Sequence, residues 1–137
     1  LVSPNQYKEN IFPHVKELLT HTKANGSMFR SYIVGGNTID SVEYFVEAGA
    51  RNVICDFNAD LKAFIEKLKN RNVIIRKNFN PALLTTGKTK EIDRAVEEIM
   101  ELNADCNGLI FGTGILPYEI QSLQVLFLKE KVSTYKL

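Results

Sequence analysis

The sequence predicts an α/β fold with a parallel sheet: an N-terminal helix followed by four βα units. Three observations predict it. Apolar runs of about five residues recur along the chain without the alternation of a half-solvated strand, as in sheets covered by helices. A stretch with apolar residues at helical spacing follows each run. Each junction between the two is polar or glycine-rich. Right-handed crossovers are expected throughout.

The elements follow in order. Ser3-Pro4-Asn5-Gln6 reads as a helix start, with Ser3 as cap, Pro4 in the first turn and Gln6 closing a capping box. Tyr7, Ile11, Val15, Leu18 and Leu19 form its stripe, and Asn25-Gly26 stops it. "MFRSYIV" (28–34) is the first strand, followed by a helix at 38–48 with Ile39, Val42, Phe45 and Val46 on one face. Gly49 closes that helix. "NVICDF" (52–57) is the second strand, and helix 59–69 carries Leu61, Phe64, Ile65 and Leu68. "NVIIR" (72–76) is the third strand, followed by a helix at 90–102 capped by Thr89. "GLIFG" (108–112) is the fourth, and the last helix runs over 118–131. Repetition is confined to the βα units, and no linker or low-complexity segment divides residues 1–137.

The composition sets limits on function. A chain of 137 residues, 45% hydrophobic and 24% charged, can supply one real core. Its formal net charge of +1, with lysines scattered among glutamates, gives no field to attract nucleic acid or a membrane surface. No apolar run is long enough to span a bilayer, and "LVSPNQYKEN" lacks the pattern of a signal peptide. Two cysteines make no disulfide framework, and a reducing, cytoplasmic setting is the default. The first residue is Leu, which is expected of a processed chain or a piece of a longer one.

"SYIVGGNT" (31–38) raises the question of a phosphate loop. Gly35-Gly36-Asn37-Thr38 follows an apolar run, and Asp56 ends the next strand about twenty residues on, as in dinucleotide-binding folds. The third glycine of that fingerprint is missing, and so is the Gly-Lys-Ser/Thr ending of a Walker loop. The alternative is a tight turn in which Asn37 or Thr38 caps the following helix. All four strand ends share a polar or glycine-rich character: Gly35-Gly36-Asn37-Thr38, Asp56-Phe57-Asn58, Lys77-Asn78-Phe79-Asn80-Pro81 and Gly112-Thr113-Gly114-Ile115-Leu116-Pro117. In parallel α/β proteins that edge is the functional one.

This set resembles the second half of the uroporphyrinogen decarboxylase superfamily, which contains the decarboxylase of haem biosynthesis and methyltransferases serving corrinoid proteins and coenzyme M. The resemblance runs from "SPNQYKENIFPHVKELL" through "GGNTIDSVEYFVEAGARNVICDFNADL" and "NFNPALL" to "GTGILP". It implies a (β/α)8 barrel of which residues 1–137 supply strands five to eight, as a single domain that is a fragment of the whole. An open flavodoxin-like sheet would share the same element order.

The resemblance also implies a site at the strand ends. Substrate-binding candidates are Gly36, Asn37, Asp56, Lys77, Asn78 and Thr113. Lys77 and Asn80 replace a glycine and an aspartate of the family's Gly-Asn-x-Asp-Pro, while Asn78 and Pro81 keep its pattern. Lys77 is either a cation at the barrel mouth or a solvated side chain. Asp56 either orients substrate and the neighbouring loop or caps helix 59–69. The methyltransferases hold zinc with a His-x-Cys-Gly after strand five and a Gly-Cys-Gly after strand eight; the matched donor positions here hold Ile33, Gly35 and Thr113. No cofactor is therefore expected, family-type zinc included. The decarboxylase has a histidine at the position of Thr113 and its catalytic aspartate in the first half of the barrel, so no catalytic residue is assigned in this chain. Cys55 and Cys106 read as core or loop residues, and His14 and His21 as packing or surface residues of the first helix. Tyr32 fits either the core or the barrel interior. The resemblance implies three functions: a divergent methyltransferase-like protein binding a tetrapyrrole, a corrinoid partner or a methyl donor; uroporphyrinogen decarboxylase itself; or a non-catalytic half-barrel module. Expected partners are the missing N-terminal half-barrel or a second copy, and a corrinoid protein, but neither nucleic acid nor membrane. Ile33, Val53, Ile74 and Ile110 are candidates for the uncovered inner face.

Overall fold

Four strands, β1 (Ser31–Tyr32), β2 (Asn52–Cys55), β3 (Ile74–Asn78) and β4 (Leu109–Gly112), form one parallel sheet in sequence order in the computed structural model, which describes residues 2–135. The sequential order β1-β2-β3-β4 has no point at which the winding reverses. Right-handed crossovers then put every connecting helix on the same side. This is the winding of half a (β/α)8 barrel, and it excludes both the flavodoxin-like sheet and the switch-point crevice in which dinucleotides bind.

The helices are α1 (Pro4–Asn10), α2 (Phe12–Ala24), α3 (Val42–Glu47), α4 (Leu61–Leu68), α5 (Pro81–Thr86), α6 (Thr89–Met100) and α7 (Ser122–Thr134). The capping box at Ser3 and Gln6 forms as expected. The single first helix does not: it breaks at Ile11, because Pro13 has no N–H with which to continue the ladder into α2. Leu18 of its stripe is exposed, whereas Tyr7, Val15 and Leu19 are buried. Strand β1 is shorter than 28–34, since it pairs only with β2, and Met28 and Phe29 are exposed. Helix α3 starts late, at Val42. Neither Asn37 nor Thr38 caps it: Asn37 Oδ1 accepts from Ile39 N–H in a local turn, and Thr38 Oγ1 is buried without a partner. The expected cap Thr89 lies inside α6, which follows Lys88. Helix α5 is absent from the sequence reading, although Asn80 as cap and Pro81 in the first turn announce it.

Two apolar clusters fill the helical side. Val53, Cys55 and Ile75 of the sheet belong to one with Phe45, Phe64, Ile65 and Leu68. Tyr32 also lies on this side, edge-on to Phe45 and beside Tyr7. Phe79, Leu84, Val96 and Leu128 belong to the second. Strand alternation sends the intervening residues to the opposite, helix-free face, where Ile54, Arg76 and Ile110 are partners across the register. Val53 is therefore not an inner-face residue as the sequence suggested, being wholly buried under the helices. Ile33 and Ile110 are exposed on the open side.

Candidate functional site

The open face and the C-terminal ends of the strands enclose a cleft of about 540 Å³. Its walls include Ile33, Ile54, Asp56, Arg76, Asn78 and Thr113. The loops after all four strands thus meet on one edge, as parallel strands joined by crossovers require.

Asp56 organises the edge. It follows β2, and its side chain reaches across both neighbouring loops. Oδ2 accepts from Gly36 N–H at 2.9 Å, and Oδ1 accepts from Phe57 N–H at 3.0 Å and from Asn78 Nδ2 at 3.1 Å. Gly36 can offer its N–H because it holds a left-handed conformation, φ +82°, that a residue with a Cβ rarely takes. Burial pushes the Asp56 carboxyl up, but the three N–H donors and the Lys77 ammonium together outweigh it, and the group lies below the ordinary carboxylate range. Asp56 does not cap α4. That role falls to Asp60, whose Oδ1 accepts from Lys62 and Ala63 N–H.

Lys77 is neither at the barrel mouth nor solvated. It sits one residue past Arg76, so the pleat turns it to the helical side, where it is only 7% exposed. Its Nζ donates to Ala59 O at 2.7 Å and Asp56 O at 2.8 Å, with Phe57 O at 3.5 Å and Cys55 Sγ at 3.7 Å. The ammonium fastens the β2–α4 loop from below, while Asp56 clasps it from above. Asn37 is exposed on the β1–α3 loop and bonds only locally. Of the six candidates, then, Asp56, Asn78 and Thr113 share the cleft, Gly36 supports it through its N–H, and Lys77 and Asn37 stand apart.

The sequence reading passed over Arg76. It is the cation in the cleft wall, and its Nε is buried without a hydrogen-bond partner. Asn78 Oδ1, also buried and unpartnered, lies on the same face two residues on. Gly112 leaves room for both: a Cβ there would stand 2.5 Å from Arg76 Nε and 3.0 Å from Asn78 Oδ1. The signal was available, since Arg76 ends the apolar run of the third strand at the edge where the site was expected.

Zinc of the methyltransferase type needs nitrogen, sulfur or carboxylate donors. The matched positions hold Ile33, Gly35 and Thr113. Among the described residues no group of three or more His, Cys, Asp or Glu is placed to share a metal. These side chains do not fit the ion. His14 and His21 are exposed on α2, far in sequence from the strand ends. No helix among the described residues is long and apolar enough to cross a membrane.

A singly wound parallel sheet with its loops gathered at the C-terminal ends of the strands defines a barrel-type α/β protein. The family described as uroporphyrinogen decarboxylase (URO-D) matches residues 1–128, nearly the whole chain, and the chain belongs to that family. A comparison with curated proteins finds no match.

Proposed function

We propose that the chain is a divergent family member of the methyltransferase-like branch that binds a tetrapyrrole, a corrinoid partner or a methyl donor at the C-terminal ends of its strands. The observation that carries the reading is the convergence of "GGNT" and "GTGI", the loops that lean toward that branch, on one cleft with Asp56 and Asn78. Asp56 holds the β1, β2 and β3 loop ends together, and Asn78 and Thr113 face the ligand. The chemistry proceeds without zinc, because the donor positions do not fit it. The partner is a companion half-barrel, or a second copy of the chain. In support, among the described residues β1 and β4 each pair with a single neighbour, and the open face carries exposed Ile33 and Ile110. A full barrel of this type takes about 250 residues.

Titration of the full chain with uroporphyrin and with methylcobalamin, followed by absorbance, tests the reading. Saturable binding of methylcobalamin supports the methyltransferase branch. Binding of uroporphyrin alone moves the protein to the decarboxylase branch, and binding of neither leaves the half-barrel as an assembly module. Elemental analysis after dialysis should find well under one zinc per chain; stoichiometric zinc would overturn that part. Sedimentation equilibrium at micromolar concentration should show a species heavier than 15.5 kDa.

A further inference from the structure

We propose that Asn25 is a modification site, where the Gly26 nitrogen closes a succinimide and converts the asparagine to aspartate and isoaspartate, and that the fold withholds the same chemistry from Asn107. The inference does not depend on the ligand assigned to the cleft.

Two asparagines precede a glycine, in Asn25-Gly26 and Asn107-Gly108. Glycine brings no Cβ to shield its nitrogen and lets the backbone turn freely, so that nitrogen reaches the preceding side chain more readily than in any other pairing. The reaction balances without oxidant or reductant. The glycine nitrogen loses its proton and bonds to the asparagine Cγ, the Cγ–Nδ2 bond breaks, and ammonia leaves with that proton. Water then opens the ring. Addition at the side-chain carbonyl gives aspartate. Addition at the main-chain carbonyl gives isoaspartate, in which the chain runs through Cβ and Cγ. In an unfolded chain the two sites present the same reacting atoms.

Three observations separate them in the fold. The first is space. Asn25 and Gly26 are both exposed, and a Cβ on Gly26 would meet nothing within 4 Å, whereas one on Gly108 would stand 3.3 Å from Ile74 Cγ1. The second is that the bonds holding Asn25 and Gly26 are local. Asn25 caps the C-terminus of α2, and Gly26 follows with φ +85°. Gly26 N–H donates to Lys23 O at 3.1 Å and Ser27 N–H to Thr22 O at 3.0 Å, the pairing of a glycine-terminated helix. Asn25 Nδ2 donates to His21 O at 2.9 Å and lies 3.2 Å from His21 Nε2. These partners all lie within residues 21–27, so fraying of one turn frees the nucleophile and the side-chain amide together. Such openings at helix ends cost little. No strand clamps the turn from beyond, since residues 27–30 have no regular structure and Met28 and Phe29 are exposed.

The third is that Asn107 and Gly108 are held by distant partners. Asn107 Nδ2 donates to Arg71 O at 2.6 Å, 36 positions back. Gly108 O accepts from Ile75 N–H at 3.0 Å, where the pairing of β3 with β4 begins. Turning the Gly108 nitrogen onto Asn107 Cγ requires that pairing to open, which costs more than fraying a helix end. Conversion at position 25 has a structural consequence. The new carboxylate meets the partial negative charge at the C-terminus of α2, and isoaspartate lengthens the main chain inside the cap, so the last turn of the helix loosens.

The test compares two sites within one molecule. The full chain is incubated at neutral pH and physiological temperature, in buffer and in denaturing urea, with circular dichroism to follow the fold. Peptide mapping by mass spectrometry, with electron-transfer fragmentation to tell isoaspartate from aspartate, measures each site over time. In buffer Asn25 should convert at least about tenfold faster than Asn107, with isoaspartate among its products. Asn25→Ala should abolish the early product. In urea, where only the sequence acts, the two rates should come within about threefold of each other. Equal rates in buffer, faster conversion of Asn107, an early product that survives Asn25→Ala, or a tenfold preference that persists in urea would each overturn the proposal.

Discussion

Replacing Lys77 with methionine should destabilise the fold without touching the cleft. The ammonium makes two short bonds, to Ala59 O at 2.7 Å and Asp56 O at 2.8 Å, while the contacts at 3.5 Å to Phe57 O and 3.7 Å to Cys55 Sγ are long enough to count for little. Hydrogen bonds to a charged group contribute about 1.5–3 kcal/mol each, so the gross loss is about 3–6 kcal/mol. Two effects reduce it. Methionine keeps the packing of the stem and carries no charge to desolvate. The abandoned carbonyls also keep other donors, because Ala59 N–H bonds Asp56 O and Cys55 Sγ bonds Ala59 O. A net loss of about 2–4 kcal/mol remains. With a urea dependence of about 2 kcal/mol per molar, the unfolding midpoint falls by about 1–2 M. Equilibrium urea unfolding followed by circular dichroism measures it. A solvated lysine would change stability by less than about 0.5 kcal/mol, so an unmoved midpoint would refute the buried-strut account.

Two further outcomes follow from the ionisable groups of the same loop. The Asp56 carboxyl lies below its ordinary range in the fold, so its contribution to stability is complete above the unfolded-state value of about 4 and is lost as pH falls through the lower folded value; the stability gap between the parent and Asp56→Asn should be flat above about pH 5 and narrow on acidification, and a gap independent of pH would remove the carboxylate from the account. Burial pushes the Cys55 thiol up to about 11 despite the pull of the Lys77 ammonium, and Cys106 is part exposed; a thiol reagent at pH 8 should therefore modify Cys106 first and reach Cys55 only at the rate of unfolding, and equal rates would contradict the packing of β2.

Local chemistry made much of the fold legible. The capping box at Ser3, the left-handed glycines at 26, 36 and 49, and the four apolar runs all act within a few residues of themselves, so the sequence alone exposes them. Boundaries set by distant partners were not legible. Strand β1 ends at Tyr32, opposite Val53, although β2 runs on to Cys55 along β3, and α3 begins only at Val42, because the turn at Asn37 uses the preceding residues otherwise. The clasp at Asp56 joins residues twenty and twenty-two positions apart, and nothing in any one segment shows that they meet.

The choice between Arg76 and Lys77 turns on parity. Consecutive residues of a strand face opposite sides, so one sheet position must send its cation to the helices and the other to the open face. Register decides which: Lys77 pairs with Cys55, which is wholly buried, and Arg76 pairs with Ile54, which lines the cleft. The two sides then meet charge differently. Beneath the helices the ammonium has loop carbonyls within reach, and a flexible stem with a compact head can gather them. On the open face isoleucines flank the guanidinium, and the nearest fixed polar group, Asn78, offers an acceptor that itself lacks a donor. Exchanging the two residue types would place a long planar fork in a packed core and a point charge in the cleft. The sequence order Arg-Lys, rather than the mere presence of two cations, is therefore what leaves the cleft wall with a guanidinium whose Nε has no protein acceptor.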